Sequence, residues 1–311
     1  MRDYFEAGII DQIDADSEMN VVGKAWPGSE VYKAMEAKGL EEYIDVEVEK
    51  KKLAAKERAR AFLAETECIE RFQLLCELQK AKRVLPFVGA GMSRPSGFKL
   101  WSELLIDLTA DSAELRERVT QKLASYEYED AAQDICDTLS QAALNHDIRA
   151  HLGRAEYQLS GAVQLLPYCF KSGCITTNLD NVLERVFLAA NNTFNEPIFG
   201  SHIKEQRGFL NPDENKLYKL HGTALIPNGR VLTRQEYDQT YANDISLSRV
   251  LGHIIGARHL LFLGYSLGVD RTVQELAKLF ADAPNNYPEH YAFLPLDDKT
   301  GRERWFMLLG A

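Results

Sequence analysis

Five short apolar runs separated by helical patterns set the limits on what this chain can fold into: RVLPFVG (83–89), GCITTN (173–178), KLYKLHG (216–222), HLLFLG (259–264) and HYAFLPL (290–296). Runs this short are strand-length, and strands apolar on both faces need cover on both faces. Helical segments between them supply that cover, so the pattern predicts an α/β class with a Rossmann-like, mostly parallel sheet. Such a sheet carries all its strand ends to one edge, where open α/β folds bind ligands. Pro86 conflicts with a central place for the first run, because proline has no N–H to give to a ladder and is normally confined to edges or strand starts.

Between the first two runs, residues 101–166 are nearly all helical, with SELLIDLTADSAELRERVTQKL and YEDAAQDICDTLSQAALNHDIRAHL as the clearest segments. That is too long for one crossover helix and predicts a helical lobe inserted in a nucleotide-binding domain spanning 83–311. Residues 1–82 read as an N-terminal helical arm, since from Glu30 to about Lys80 there is no proline and a single glycine, Gly39. Leu53, Phe62, Leu63, Ile69, Phe72, Leu75 and Cys76 recur at three- and four-residue steps, which predicts shared apolar faces, while 47–60 is densely charged with both signs. Periodicity leaves two readings of this arm open: a solvated helix packed on the next domain, or an oligomerisation or partner-docking element.

Composition narrows the function classes. A length of 311 residues corresponds to roughly two domains. The 36 basic and 46 acidic side chains leave a net charge of −10, so no broad cationic surface is expected and direct nucleic-acid binding is not predicted. Any phosphate must be held by a local site. No apolar run approaches the roughly 18 residues of a spanning helix, and MRDYFEAGIIDQIDADSE lacks the basic and apolar regions of a signal peptide, so a cytoplasmic protein without membrane contact is expected. The five cysteines, Cys68, Cys76, Cys136, Cys169 and Cys174, include no CxxC pair, which predicts reduced thiols and no metal cluster.

Four strand ends carry residues suited to chemistry. In VGAGMSRPSG (88–97), Gly89, Ala90 and Gly91 permit close backbone approach, and Ser93 opens a helical turn whose free N–H groups favour a pyrophosphate. Taken alone this reads better as a tight turn, because Arg94 stands where the dinucleotide fingerprint has its third glycine. Thr177, Asn178 and Asp180 in ITTNLDNVLERVF (175–187) follow a buried strand, and either Asn178 or Asp180 suits a helix N-cap as well as a ligand contact. His221 in YKLHGT (218–223) can take a proton from a hydroxyl or water, although a single histidine is more often a hydrogen-bonded packing residue. In FLGYSLGVD (262–270), Gly264 and Ser266 suit a phosphate or ribose, and Asp270 suits a ligand or a cap.

Together GAGMS (89–93), TTNLD (176–180), HG (221–222) and GYSLGVD (264–270), in this order, resemble the GAGxS, TxNxD, HG and GxS elements of the sirtuin (silent information regulator two) family, with coverage from about 83 to 296. The resemblance implies a Rossmann-like sheet with a smaller lobe and NAD as ligand. It implies Asn178 and His221 as the catalytic pair, Gly89, Ala90, Gly91, Ser93, Thr177, Gly264, Ser266 and Asp270 as dinucleotide contacts, and Asp180 as the acid of the nicotinamide pocket. Protein deacylases of this family carry a four-cysteine zinc ribbon between the catalytic histidine and the GxS turn, whereas here every cysteine precedes His221. The stretch after the glycine loop, SGFKLWSEL (96–104), lacks the family's GIPDFR-like segment and keeps only Trp101 near its aromatic position.

Both departures, together with LTRQEYDQTY (232–241), look like the bacterial anti-phage branch whose members hydrolyse NAD and carry no zinc ribbon. The implied activity is cleavage of the nicotinamide–ribose bond, with NAD as substrate and no zinc. The alternatives are an NAD-dependent deacylase or ADP-ribosyltransferase, and a non-catalytic NAD-sensing scaffold. The resemblance also implies a homo-oligomer through the N-terminal helices and a complex with a DNA-translocating ATPase or another phage-sensing protein.

Overall fold

The computed structural model describes residues 2–17, 19–195, 197–199, 214–241, 247–265, 271–282 and 287–293. The chain divides into two units, Met1–Glu77 and Leu78–Ala311. The first contains α1 (Arg2–Asp16), a hairpin of β1 (Met19–Val21) and β2 (Lys24–Trp26), α2 (Gly28–Glu65) and most of α3 (Ile69–Lys80). Its core is small: Ile9 of α1 meets Ile44 and Val48 of α2, flanked by Phe5, Ile10, Ile13 and Leu40. α2 is interrupted at Glu36, whose φ of −153° and ψ of 75° lie outside the helical region. The apolar faces expected farther along are only partly buried. Leu75 is inside and Leu63 and Cys76 are half-buried, whereas Leu53, Phe62, Ile69 and Phe72 are exposed.

Among the described residues the second unit has six strands, β3 (Val84–Val88), β4 (Cys174–Thr176), β5 (Ile198–Phe199), β6 (Leu217–Lys219), β7 (His259–Leu263) and β8 (Tyr291–Ala292). They form one sheet in the order β5-β6-β4-β3-β7-β8, parallel throughout. Each of the five expected runs contributes a strand; residues 294–296 of the last lie outside the described residues. β5 has no counterpart among the runs, because two residues beside Pro197 leave no period to read.

Pro86 sits inside β3, a strand paired on both sides, without losing a ladder bond. Gly89 N–H donates to Leu263 O at 2.9 Å, so by the alternation along a strand the odd-numbered residues of β3 bond to β7. Pro86 nitrogen therefore faces β4, whose pairing begins only at Phe87↔Ile175. The proline lies where that neighbour has not yet joined.

One face of the sheet is closed by α11 (Leu247–Ala257) and α12 (Arg271–Asp282): Leu251, Ile254, Ile255 and Leu276 pack with Leu85, Phe87, Ile175, Tyr218 and Phe262. Phe87 and Phe262 stack across neighbouring strands at 5.1 Å between centroids. The inserted lobe comprises α4 (Trp101–Asp107), α5 (Ala113–Ala124), α6 (Tyr128–Leu139) and α7 (Gln141–Leu152). Ser112 and Ser140 cap two of these helices, their hydroxyls accepting from Leu115 N–H at 3.2 Å and Ala143 N–H at 3.4 Å. α6 turns Ala131, Ala132, Ile135 and Cys136 inward and packs against α4, α5 and α7. Three helices follow in the connections: α8 (Leu166–Cys169), α9 (Val182–Ala189) and α10 (Arg234–Tyr241). Among the described residues, no helix is long and apolar enough to cross a membrane.

Ile135 is fully buried at the centre of the lobe. Its replacement by alanine removes three carbons from a packed site, and Ile135→Ala is expected to cost about 2–5 kcal/mol of unfolding free energy in urea titration. A loss below about 1 kcal/mol would show that the lobe does not rest on this core.

Candidate active site

The adjacent strands β6, β4, β3 and β7 point the same way, so their C-terminal ends bring four turns to one edge. The chain enters the sheet at β3, builds β4, β5 and β6 to one side and β7 and β8 to the other. Ligands bind in such sheets where the connections diverge. β3 leads into Gly89–Ser93, β4 into Thr177, Asn178 and Asp180, β6 into His221, and β7 into Gly264 and Tyr265.

The two glycine turns are pressed together through their backbones. Gly91 N–H donates to Gly264 O at 2.9 Å. A β-carbon on Gly89 would lie 2.5 Å from Gly264 O, one on Gly91 2.8 Å from the same atom, and one on Gly264 2.5 Å from Met92 N. Gly264 also has φ +62°, in the left-handed region. The mutual approach of two turns therefore requires all three glycines before any ligand is considered. Gly89 is buried behind the turn, while Ala90, Gly91 and Gly264 reach a cavity of about 390 Å³ that Thr177 and His221 also line. The lobe closes its other side with Trp101, Leu105 and Glu129, and α10 and α12 add Tyr237 and Arg271.

Asn178 and Asp180 open instead onto an adjoining crevice of about 10 Å³, with room for roughly one water. Ala90 and Trp101 border both spaces. A chain of hydrogen bonds fixes this second group. Thr176 Oγ1 donates to Val88 O at 2.7 Å and accepts from Asn178 N–H at 2.9 Å. Asn178 Nδ2 donates to Ser93 Oγ at 3.1 Å, and Ser93 in turn bonds the Asp180 carboxylate. Asp180 Oδ1 accepts from Val182 N–H at 3.0 Å, so it does hold the start of α9, whereas Asn178 does not. Asn178 Oδ1 is buried and has no partner among the described residues, an arrangement that costs about 1–3 kcal/mol and presents an acceptor to whatever enters.

Burial pushes the Asp180 carboxyl above the usual carboxylate range, opposed by the ammonium of Lys219. Lys219, on β6 and fully buried, donates through Nζ to Asp180 O and, at 2.9 Å, to Glu184 Oε1. His221 is buried, and loss of hydration lowers its pKa to about 3, leaving the imidazole neutral at pH 7. Its Nε2 lies 3.0 Å from Tyr237 Oη, with the two rings edge to face at 5.2 Å.

α10 is held in place by polar contacts. Thr233 Oγ1 accepts from Glu236 N–H at 3.2 Å and Glu236 Oε2 accepts from Thr233 N–H at 3.0 Å, a reciprocal capping box directly ahead of Tyr237. Arg230, fully buried, donates through Nη2 to Glu236 Oε1 and to Asn145 Oδ1 of α7, both at 2.8 Å. Asp130 of α6 pairs with Arg234 at 2.6 Å, and Gln133 Oε1 accepts from Gln235 N–H at 3.0 Å.

The structure thus gathers Ala90, Gly91, Thr177, His221 and Gly264 on one cavity and Ser93, Asn178 and Asp180 in one network beside it. Ser266 and Asp270 lie outside the described residues. Lys219, Arg230 and Tyr237 did not emerge from sequence reasoning. The T-x-x-E spacing of Thr233 and Glu236 was the available signal for Tyr237, since it sets a helix start just before it. Among the described residues, no group of three or more His, Cys, Asp or Glu side chains could hold a metal ion.

Comparison with known proteins places this site in context. A family described as a SIR2-like domain matches residues 172–308, a stretch that holds Thr177, Asn178, Asp180, His221, Gly264, Ser266 and Asp270 but not the turn after β3. The chain is 22% identical over 225 residues to the NAD(+) hydrolase ThsA of Acinetobacter baumannii (strain 532279), covering 66% of this chain and 41% of the relative. It is 26% identical over 211 residues to the NAD(+) hydrolase ThsA of Cytobacillus dafuensis, covering 67% of this chain and 40% of the relative. The chain therefore spans about two fifths of the length of these curated relatives. The matched SIR2-like region thus runs from β4 through β8, on the parallel sheet that converges the four turns.

Proposed function

We propose that this chain hydrolyses NAD at the nicotinamide–ribose bond, releasing nicotinamide and ADP-ribose. The observation that carries the reading is the buried Asn178 Oδ1, unpaired among the described residues, in the Ser93–Asp180 network next to a cavity walled by a neutral histidine. The names of the two relatives, NAD(+) hydrolases, support it. The bond breaks with a neutral leaving group and an oxocarbenium-like transition state, so the site must hold the ring and stabilise positive charge rather than protonate the departing base. Asn178 orients water or the ribose hydroxyls through its open acceptor, and His221 takes the proton as water attacks C1 of the ribose. Asp180 engages the nicotinamide amide, which requires Trp101 or another wall of the small crevice to shift, because the crevice holds about one water. Gly91 and Gly264 offer backbone to the pyrophosphate, with Ser266 and Asp270 as further contacts.

The same reading makes the chain the NAD-depleting effector of an anti-phage system, held weakly active until assembly or a sensing partner such as a DNA-translocating ATPase releases it. The exposed apolar side chains Tyr43, Val46, Leu53 and Phe62 support self-association through α2. No zinc is required for this chemistry.

The test is nicotinamide and ADP-ribose release followed by chromatography, without an acylated peptide. His221→Ala is expected to lower turnover about 10²–10⁴-fold with NAD binding by calorimetry largely retained, and Asn178→Ala to cripple it as well. Either variant turning over at the wild-type rate would refute the assignment. Because burial holds His221 near pKa 3 rather than 6.5, turnover is expected to show no acid limb around the ordinary histidine value. An inflection there would mean that another group is the base. The same shift has a sign for stability. Between about pH 6.5 and 3 the unfolded chain binds the proton that the folded chain refuses, so unfolding free energy falls as pH drops through that window. Comparing the pH dependence of denaturant midpoints for wild type and His221→Asn isolates this contribution.

A further inference from the structure

We propose that Tyr237 is a positioning residue that dictates which nitrogen of His221 serves as the base, an inference that rests on the reading of His221 in NAD hydrolysis. Tyr237 Oη lies 3.0 Å from His221 Nε2 and, among the described residues, is the one hydrogen-bond partner of the ring. Both side chains are buried and both border the main cavity. A histidine has two distinct nitrogens, and the partner of one determines the state of the other. If Tyr237 gave its proton to Nε2, the hydrogen of the neutral ring would sit on Nδ1 and no lone pair would be left for the substrate. The base role therefore fits one arrangement, in which Nε2–H donates to Tyr237 Oη and the lone pair lies on Nδ1.

The step then balances. Water oxygen bonds to ribose C1, the C1–nitrogen bond breaks with its electron pair returning to the nicotinamide ring, and the water proton passes to Nδ1. The imidazolium so formed keeps its Nε2–H bond to Tyr237, so the same contact serves both protonation states.

The tyrosine is held apart from this bond. Its helix begins at the Thr233–Glu236 capping box, anchored by buried Arg230, and the Arg271 guanidinium lies 5.3 Å over its ring. Tyr237→Phe removes the hydroxyl and leaves the ring packing in place.

Two measurements decide the matter. In protein labelled with ¹⁵N-histidine, with the His221 signals identified by their loss in His221→Asn, the wild-type ring is expected in the Nε2–H tautomer, and Tyr237→Phe is expected to give a tautomer mixture. In parallel, Tyr237→Phe is expected to lower kcat for nicotinamide release about 10–100-fold, with KM for NAD within about twofold and the melting temperature unchanged. A wild-type Nδ1–H tautomer, or a Tyr237→Phe protein with wild-type kcat, overturns the proposal. If the wild-type protein releases no nicotinamide, the hydrolase reading fails by itself, while the tautomer measurement still decides what Tyr237 does to the ring.

Discussion

The bond from Gly91 N–H to the Gly264 carbonyl joins the turns that leave β3 and β7, and the geometry of the ligand edge depends on it. Three glycines are consumed by that contact, since a β-carbon on any of them would stand within 2.8 Å of backbone across the junction. With the two turns locked, Ala90 and Gly91 form one wall of the cavity and Ser93 is carried to the end of β4. There it ties Asn178 to Asp180. Glycine-rich turns of this kind are commonly read as ligand cradles. Here their first role is to let one strand end lie flat on another, and the exposed backbone available to a phosphate is the remainder.

The lobe does more than cover the sheet. Asp130, Gln133 and Asn145 on α6 and α7 reach Arg234, Gln235 N–H and Arg230, and so determine where α10 lies. The imidazole is therefore presented by β6 and shaped from α10, two elements whose agreement is enforced by the insertion between β3 and β4. Lys219 plays a comparable part on the other side, bonding the backbone of Asp180 and the carboxylate of Glu184 from inside the sheet.

Much of this was legible in the order of residues, and the reasons are physical. Strands β3, β4, β6, β7 and β8 announce themselves because a doubly covered strand must be apolar throughout, and the turns that follow them hold glycine, asparagine and histidine. β5 was hidden by its length of two residues. Pro86 looked like an obstacle because sequence shows a missing donor but not the direction it faces. The apolar period of the arm left its cover open, and Leu53 and Phe62 are exposed, since a period says which residues share a face and not whether anything covers it. Asn178, Asp180 and His221 stood out as residue types at strand ends. Their supports, Lys219, Arg230 and Tyr237, act across 6 to 85 positions of chain through contacts that carry no local pattern.

α10 illustrates what such tethering entails. Apart from Tyr237, which is buried, and Tyr241, which packs on the sheet core and donates to Leu220 O, its eight residues are fastened by charged and amide contacts to α6, α7 and Arg230. Segments held in this way open at a lower free energy than the core around them, and their charge pairs weaken with salt. The solvation of His221 is thus governed by a local equilibrium of one short helix. Ionic strength, or any molecule that competes for Asp130 or Arg234, acts on the histidine's surroundings without touching the sheet that carries it.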